Sequence, residues 1–362
     1  ALDLFGDKLQ ARALAAQLNI PTVPGSPTAV PTTDDAIAAA ESIGYPVMLK
    51  AAAGGGGRGM RAVMEPGQLA DAFERCQSEA RAAFGDGSVF LERLVVDPRH
   101  IEVQVMADNT GAVVHFFERD CSVQLRNQKV IEIAPAANLD PALRAQILAD
   151  ALTLVSGANY CNAGTVEFLI EPSTGDYFFI ECNPRIQVEH TITEQVMGTD
   201  LVQVQFRVAM GESLASLGLG DQAAVGEPRG WSVQARVVAT GTGTITGYRE
   251  PSGPGVRVDG AGYAGWSPPP QFDPLLAKVI VTTNGGTHEA AIDNARRAVH
   301  RFHIGGLATN LGQLNAILAH DAVRSGDART TLLANEPGLT AAAAVASPMI
   351  VMLESQVGQP AS

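Results

Sequence analysis

Runs of alternating or continuous apolar residues, punctuated by glycine, proline and asparagine, divide the chain into short strands and amphipathic helices. Good helix formers fill residues 7–18, and a second helical pattern runs from about Thr33 to Ile43 with acids near its start. Between them Pro21, Pro24, Gly25, Pro27 and Pro31 hold an extended connector. Residues 46–50 read as a short buried strand, 60–64 as its partner, and 67–84 as a helix. Strands follow at 88–95, 100–107 and 112–118, the last two joined by the Asp108-Asn-Thr-Gly111 turn. Further helices are predicted at 141–157, 199–211, 287–302 and 308–319, and further strands at 231–239, 255–258 and 276–283. The mixture of helices and strands predicts an α/β (α+β) protein. The segment from Glu118 to Lys129 reads as too polar for a core element, so the strand before it is expected to stop at Glu118.

One hairpin stands out. Thr165–Ile170 and Tyr177–Glu181 are strand-like, and Pro172–Asp176 between them is turn chemistry. Glu167 and Glu181 lie equally far from Thr174, so symmetric pairing sets two carboxylates opposite each other on one face. Like charges across a ladder destabilise it unless a cation lies between them. With Asn183 two residues on, the pair forms a hard-oxygen site suited to Mg²⁺ or Mn²⁺ carrying nucleotide phosphates.

The chain has 362 residues, 46% of them hydrophobic, which is enough for two or three modules with real cores. A formal charge of −13 argues against nucleic-acid and membrane-surface binding. Cysteines 76, 121, 161 and 182 show no metal-type spacing, and reduced thiols in a cytoplasmic compartment are expected. There is no signal-peptide pattern and no apolar run long enough to span a bilayer. Lysine is scarce: only Lys8, Lys50, Lys129 and Lys278 occur among 25 basic residues. The first three sit beside polar or glycine-rich segments and are candidates for binding. Lys278 follows an apolar Leu-Leu-Ala and is read as a chance survivor.

Two segments carry further chemistry. In Ala53-Gly-Gly-Gly-Gly-Arg-Gly-Met60, consecutive glycines let backbone N–H groups curl around phosphate, with Lys50 just before. The spacing fits neither the Rossmann nor the P-loop pattern. In Glu181-Cys-Asn-Pro-Arg-Ile-Gln-Val-Glu-His190, Arg185, Gln187 and Glu189 offer an anion clamp and a general base beside the metal pair.

Asn-Pro-Arg-Ile-Gln-Val-Glu-His (183–190) resembles the signature of the biotin carboxylases of the ATP-grasp superfamily, which use ATP and bicarbonate to carboxylate biotin on a carrier. The resemblance covers about residues 5–338 and implies an ATP-grasp fold with a glycine-loop lid plus a biotin carboxylase C-terminal domain. The expected division is a helical lead-in (1–21), lid (22–94), core with the metal and bicarbonate site (95–228), C-terminal domain (229–338) and tail (339–362). It assigns Gly54, Gly55, Gly56, Gly57, Gly59 and Met60 to the flap over ATP, with Lys8 and Lys50. Glu92, Arg93, Val95, His100, Gln124, Asn127 and Leu169 are likewise implied as nucleotide contacts. Arg185, Gln187 and the backbone at Val188 would hold bicarbonate, Glu189 would deprotonate it, and Lys129 would act beside it. Arg257 would stabilise the biotin enolate. The sequence departs from the family at Leu125, where arginine is usual, and at Asn127, where histidine is common.

The resemblance further implies two Mg²⁺ or Mn²⁺ ions, a carboxyltransferase component, a homo-oligomer, and the setting of an acyl-CoA carboxylase. Residues 346–349 and 351–355 look like fragments of a biotin carrier domain, but no lysine follows Lys278, so biotin is expected on another chain or segment. A domain of about a hundred residues, a typical module size, is expected ahead of the Gly-Asp-Lys segment. The rival expectations are another bicarbonate-using ATP-grasp ligase and a truncated scaffold subunit without activity.

Overall fold

The computed structural model describes residues 2–53 and 59–341. Gly54, Gly55, Gly56 and Gly57 of the glycine loop, and the 346–355 segment, lie outside the described residues.

The N-terminal helix Lys8–Gln17 starts where the Asp7 side chain accepts the Leu9 and Gln10 N–H groups. A small antiparallel sheet follows, built from β1 (Val47–Ala51), β2 (Met60–Val63) and β3 (Val89–Arg93) in the order β2-β1-β3. Helices Thr33–Ile43 and Leu69–Phe84 bury Ala36, Ala40, Leu69, Phe73 and Cys76 against it, which gives this unit its own core. Each of the two helices ends at a glycine with positive φ, Gly44 and Gly85.

The rest is organised by one antiparallel sheet of eight strands. They are β4 (Arg99–Ala107), β5 (Val113–Leu125), β6 (Gln128–Ala134), β7 (Asn162–Ile170), β8 (Tyr177–Asn183), β9 (Trp231–Val238), β11 (Val256–Gly260) and β12 (Leu275–Thr283), with β10 (Gly247–Arg249) and β13 (His303–Gly305) forming a separate pair. The spatial order is β11-β12-β9-β6-β5-β4-β7-β8, so strands from both sides of residue 229 share one ladder.

Strand alternation sorts the two faces. Ile101, Val103, Val166 and Phe168 pack on helix Pro141–Gly157, while Val233, Ala235, Ala277 and Val279 pack on helices His288–Arg301 and Leu311–Ala319. The residues between them, Glu102, Gln104, Thr165, Glu167, Gln234, Arg236 and Lys278, face the other way, toward helix His190–Met197. No helix among the described residues is long and apolar enough to cross a membrane.

Most predicted elements appear within a few residues of their expected bounds. The exception is the polar stretch 118–129. β5 runs through it to Leu125 and turns at Arg126 and Asn127, both in the left-handed region, into β6. Glu118, Arg119, Asp120, Ser122 and Gln124 are all buried. These polar residues are core after all, because other elements supply their partners: Arg144 for Glu118, Glu102 for Arg119, Arg99 for Asp120 and His100 for Gln124.

Candidate active site

The register of the large sheet lines up charge. Glu181 on β8 pairs with Glu167 on β7, Glu167 with Glu102 on β4, and Glu102 with Arg119 on β5. Three carboxylates thus occupy adjacent strands at one level, an arrangement that needs compensating cations. Arg119 is fully buried and supplies one, donating from Nε to Glu102 Oε1 at 2.5 Å and from Nη1 to Gln104 and Thr193. Lys129 supplies another. Its ammonium donates to Glu102 Oε2, to Glu167 Oε1 at 2.9 Å and to Glu189 Oε1 at 2.6 Å.

The pairing of Glu167 with Glu181 depends on a bulge. Nearer the turn, Phe168 pairs with Phe179 and Ile170 with Tyr177, so Ile180 is the extra residue that brings Glu181 level with Glu167. It also lets Phe179 and Cys182, three positions apart, enter the same core.

Protein donors line the gap between the two carboxylates. The Asn183 side-chain amide donates to Glu167 at 3.0 Å and to Glu181 at 3.1 Å. Lys8 Nζ lies 3.1 Å from Glu181 Oε2, and His100 Nε2 2.8 Å from Glu167 Oε2. Gln124 donates to His100 Nδ1 and thereby orients that ring. Gln187 Nε2 donates to Glu167 at 2.9 Å.

This donor set fits a hard divalent cation: two carboxylates and an amide whose oxygen is a hard ligand, with Glu181 partly open to solvent. His100, Glu102 and Glu167 also converge within 4.8 Å of one another, but Lys129 already neutralises the two acids of that group. The Glu167–Glu181–Asn183 side is therefore where a cation would sit.

Charge is concentrated around Glu189. Burial alone would raise its proton affinity, but Lys129, Arg236 and Arg119 outweigh that and hold its carboxyl down to about 2. Glu167, also buried, is held well below the usual carboxylate range by Lys129 and His100. Burial opposes the Lys129 charge, yet its three carboxylates raise its proton affinity well above the ordinary lysine value.

The lid meets this site through Lys50 and Arg12, which both pair with Glu92, a buried acid on β3. Arg93 makes a bidentate pair with Glu171 at 2.9 and 3.0 Å and lies over the Phe178 ring. Val95 is buried just beyond, and Leu169 is half-buried beside His100 in the β4–β7 ladder. Gly59 is buried with positive φ, and Met60 begins β2.

Arg185 stands on the exposed rim and donates to the Ile186 carbonyl, and Asn127 is exposed in the β5–β6 turn. Among the described residues, neither side chain hydrogen-bonds to the charged cluster. Arg257 on β11 donates from Nη1 to Glu194 at 2.9 Å and forks onto Asp259 at 2.8 and 3.0 Å.

Several residues of the cluster went unread in the sequence. Lys278 is not a bystander: its ammonium reaches the Val188 carbonyl at 3.2 Å and Asp259 at 3.1 Å, beneath the loop that carries Glu189. Its rarity as a lysine was the available signal, and the apolar residues before it hid that. Glu102, Arg119, Glu132 and Arg236 on strands, and Glu194 on helix His190–Met197, carried no local signal, because their partners lie 17 to 104 residues away in the chain.

Comparison with known proteins agrees with this geometry. Residues 7–217 match the family described as carbamoyl-phosphate synthase L chain, ATP binding domain, and residues 234–335 match the biotin carboxylase C-terminal domain. The biotin carboxylase domain of the 2-oxoglutarate carboxylase of Hydrogenobacter thermophilus, solved with MgADP, ADP and bicarbonate, superposes with a TM-score of 0.89 at 38% identity, over 93% of this chain and 75% of that one. The chain belongs to the biotin carboxylase family.

Among other solved biotin carboxylases, that of Campylobacter jejuni gives a TM-score of 0.87 at 36% identity, covering 92% of this chain and 74% of that one. The curated relatives at high identity are pyruvate carboxylases. That of Pichia angusta is 47% identical over 347 residues, and that of Bacillus subtilis 43% identical over 349, each covering 93% of this chain. This biotin carboxylase chain spans 29% of the Pichia protein and 30% of the Bacillus one. The similarity thus lies with pyruvate carboxylases rather than with the acyl-CoA carboxylases that the sequence reading expected.

Proposed function

We propose that the chain catalyses the ATP-dependent carboxylation of biotin, the first half-reaction of a carboxylase of the pyruvate carboxylase type. The observation that carries this reading is Lys129, which joins the facing carboxylates to Glu189 in one buried cluster. Glu167, Glu181 and Asn183 would hold the divalent cations, two Mg²⁺ or Mn²⁺, that screen the nucleotide phosphates. Lys8, Lys50 and the lid, with Gly59 and Met60, hold the nucleotide, and Glu92, Arg93, Val95, His100, Gln124, Asn127 and Leu169 shape its surroundings.

Arg185, Gln187 and the Val188 backbone position bicarbonate, and Glu189 takes its proton. A bicarbonate oxygen then bonds to the γ-phosphorus while the bond to ADP breaks, which yields carboxyphosphate. Its decomposition gives CO₂ and phosphate. The phosphate takes the proton from biotin N1, and N1 bonds to CO₂. Lys129 offsets the growing negative charge in the first step, and Arg257 stabilises the biotin enolate oxygen in the second.

Biotin would arrive on a carrier domain that passes the carboxyl group to a carboxyltransferase component, within a homo-oligomer. Pyruvate or a related 2-oxoacid is favoured as final acceptor by the pyruvate and 2-oxoglutarate carboxylases among the relatives. The match to a biotin carboxylase C-terminal domain favours biotin over the acceptors of other ATP-grasp ligases.

The test separates the two steps in the intact protein. Arg257→Ala should lose biotin carboxylation but keep slow, bicarbonate-dependent ATP hydrolysis, whereas Glu189→Gln should lose both. Equal loss of both activities in both variants would overturn these roles.

A further inference from the structure

Lys278 is the lysine that the proposed reaction leaves without a task. It is the only ionisable side chain in β12, where every other residue of Leu275–Thr283 is apolar or threonine. Its cross-strand neighbour on β9 is Arg236. Two cations directly opposite each other destabilise a ladder unless acids draw them apart. Here acids stand on both sides. Arg236 is held by Glu132 at 2.5 Å and by Glu189 at 2.9 Å, while Lys278 lies 3.1 Å from Asp259, its partner across the ladder on β11. An apolar residue at this position would avoid the repulsion, which turns attention to what else the ammonium holds.

It holds a backbone carbonyl. Three successive carbonyls of the loop leading into helix His190–Met197 have donors. The Gln187 carbonyl receives the His190 N–H at 3.2 Å and lies 2.6 Å from His190 Nδ1, and the Glu189 carbonyl receives the Ile192 N–H at 3.2 Å. The Val188 carbonyl between them receives Lys278 Nζ at 3.2 Å. Its neighbours are served from within the loop and its helix, whereas Val188 is served from β12. The Val188–Glu189 peptide is planar, so fixing its oxygen fixes its tilt and the Cα of both residues. The Val188 N–H belongs to the adjoining peptide and moves with that Cα.

Resting on the proposed seating of bicarbonate by Arg185, Gln187 and the Val188 backbone, we propose that Lys278 is a positioning residue for that seat. Its ammonium ties the Val188 carbonyl to β12 and so sets where the adjoining N–H meets the anion. The Glu189 carboxylate is held separately, by Lys129 and Arg236. Loss of Lys278 therefore weakens anion binding more than proton removal. Lysine suits the position because a compact ammonium with three donors serves a carbonyl and a carboxylate at once.

The experiment measures bicarbonate-dependent ATP hydrolysis in the intact protein, at varied bicarbonate and at varied ATP. In Lys278→Met the KM for bicarbonate should rise roughly tenfold to a hundredfold, as for one lost hydrogen bond from a charged donor. The KM for ATP should stay within about twofold, and kcat should fall less than the bicarbonate KM rises. Lys278→Arg keeps the cation and should bring the bicarbonate KM back toward the wild type. Lys278→Gln carries the same test should Lys278→Met fail to fold, with a bicarbonate KM above that of Lys278→Arg.

A merely structural role would lower Tm and kcat, or raise both KM values together, and that result overturns the proposal. So does a bicarbonate KM unchanged in Lys278→Met, or one no lower in Lys278→Arg than in Lys278→Met. Arg185→Ala, at an exposed position, reports on the underlying reading. If its bicarbonate KM is unchanged, the seat itself fails and this inference falls with it. If it rises while Lys278→Met is unaffected, only the role given to Lys278 fails.

Discussion

Replacing Lys129 with methionine keeps the bulk of the side chain but removes the cation from among Glu102, Glu167 and Glu189. The Glu189 carboxyl is held at about 2 against an ordinary 4.5, so its ionised form is favoured in the folded state by about 3 kcal/mol, shared among Lys129, Arg236 and Arg119. Removing one partner of a buried ion pair typically costs about 3–5 kcal/mol. We therefore expect Lys129→Met to lose about 3–5 kcal/mol of folding stability at pH 7.5.

The pH dependence gives this prediction its sign. In the wild type, depressed carboxyl groups contribute stability that is complete above pH 4.5 and fades as pH falls toward 2. In the variant, Arg119, Arg236 and His100 are left to face the same acids, and one carboxyl should take up a proton in the folded state. Its folded proton affinity then exceeds the unfolded one, so stability rises as pH falls. Urea denaturation at pH 7.5 and 5.5 should show the gap between variant and wild type narrowing by about 1–2 kcal/mol. A loss under about 1 kcal/mol, or one equal at both pH values, would refute the view that Lys129 neutralises buried carboxylates.

Glu181→Gln should fold normally yet abolish metal-dependent ATP turnover, because a neutral amide cannot offset divalent charge; near-normal turnover across a Mg²⁺ titration would contradict the metal assignment. Lys50→Met should raise the KM for ATP roughly tenfold or more with the fold intact, since Arg12 remains to pair with buried Glu92; steady-state kinetics at varied ATP would check it. Gly230→Ala should destabilise the protein by about 3 kcal/mol or more, read as a drop in Tm. Gly230 has φ +73°, and a Cβ there would lie 1.8 Å from the Thr283 carbonyl oxygen.

How far the site was legible depends on the distance over which its parts are brought together. The Glu167–Glu181 pair was readable because a hairpin is local, yet the symmetric count about Thr174 succeeded for a reason it did not contain. Pairing near the turn is centred half a residue earlier, and the bulge at Ile180 restores the offset. Without the bulge, Glu181 would face Val166 and point away from the site.

The loop 183–190 was legible because its chemistry is contiguous. Arg236 and Glu102 were not: Arg236 meets Glu189 and Glu132 at separations of 47 and 104 residues, and the sequence around Glu102 does not show that Glu167 pairs with it across the ladder. The stretch 118–129 misled for a related reason: polarity signals exposure only where no partner exists, and here Arg119 has five side-chain acceptors within reach.

The continuous eight-stranded ladder also fixes the mechanics of the molecule. Glu181 lies on one outermost strand and Arg257 on the other, with every strand between them hydrogen-bonded to its neighbours. Such a plate resists shear, so on the roles proposed for them the two residues would keep a constant spacing through the cycle. Closure over a substrate would then fall to the separate β2-β1-β3 leaf, joined to the plate by contacts such as Arg93–Glu171. Distance labels on β8 and β11 would stay in step while a label on β2 travels, like a hinged cover on a rigid bed.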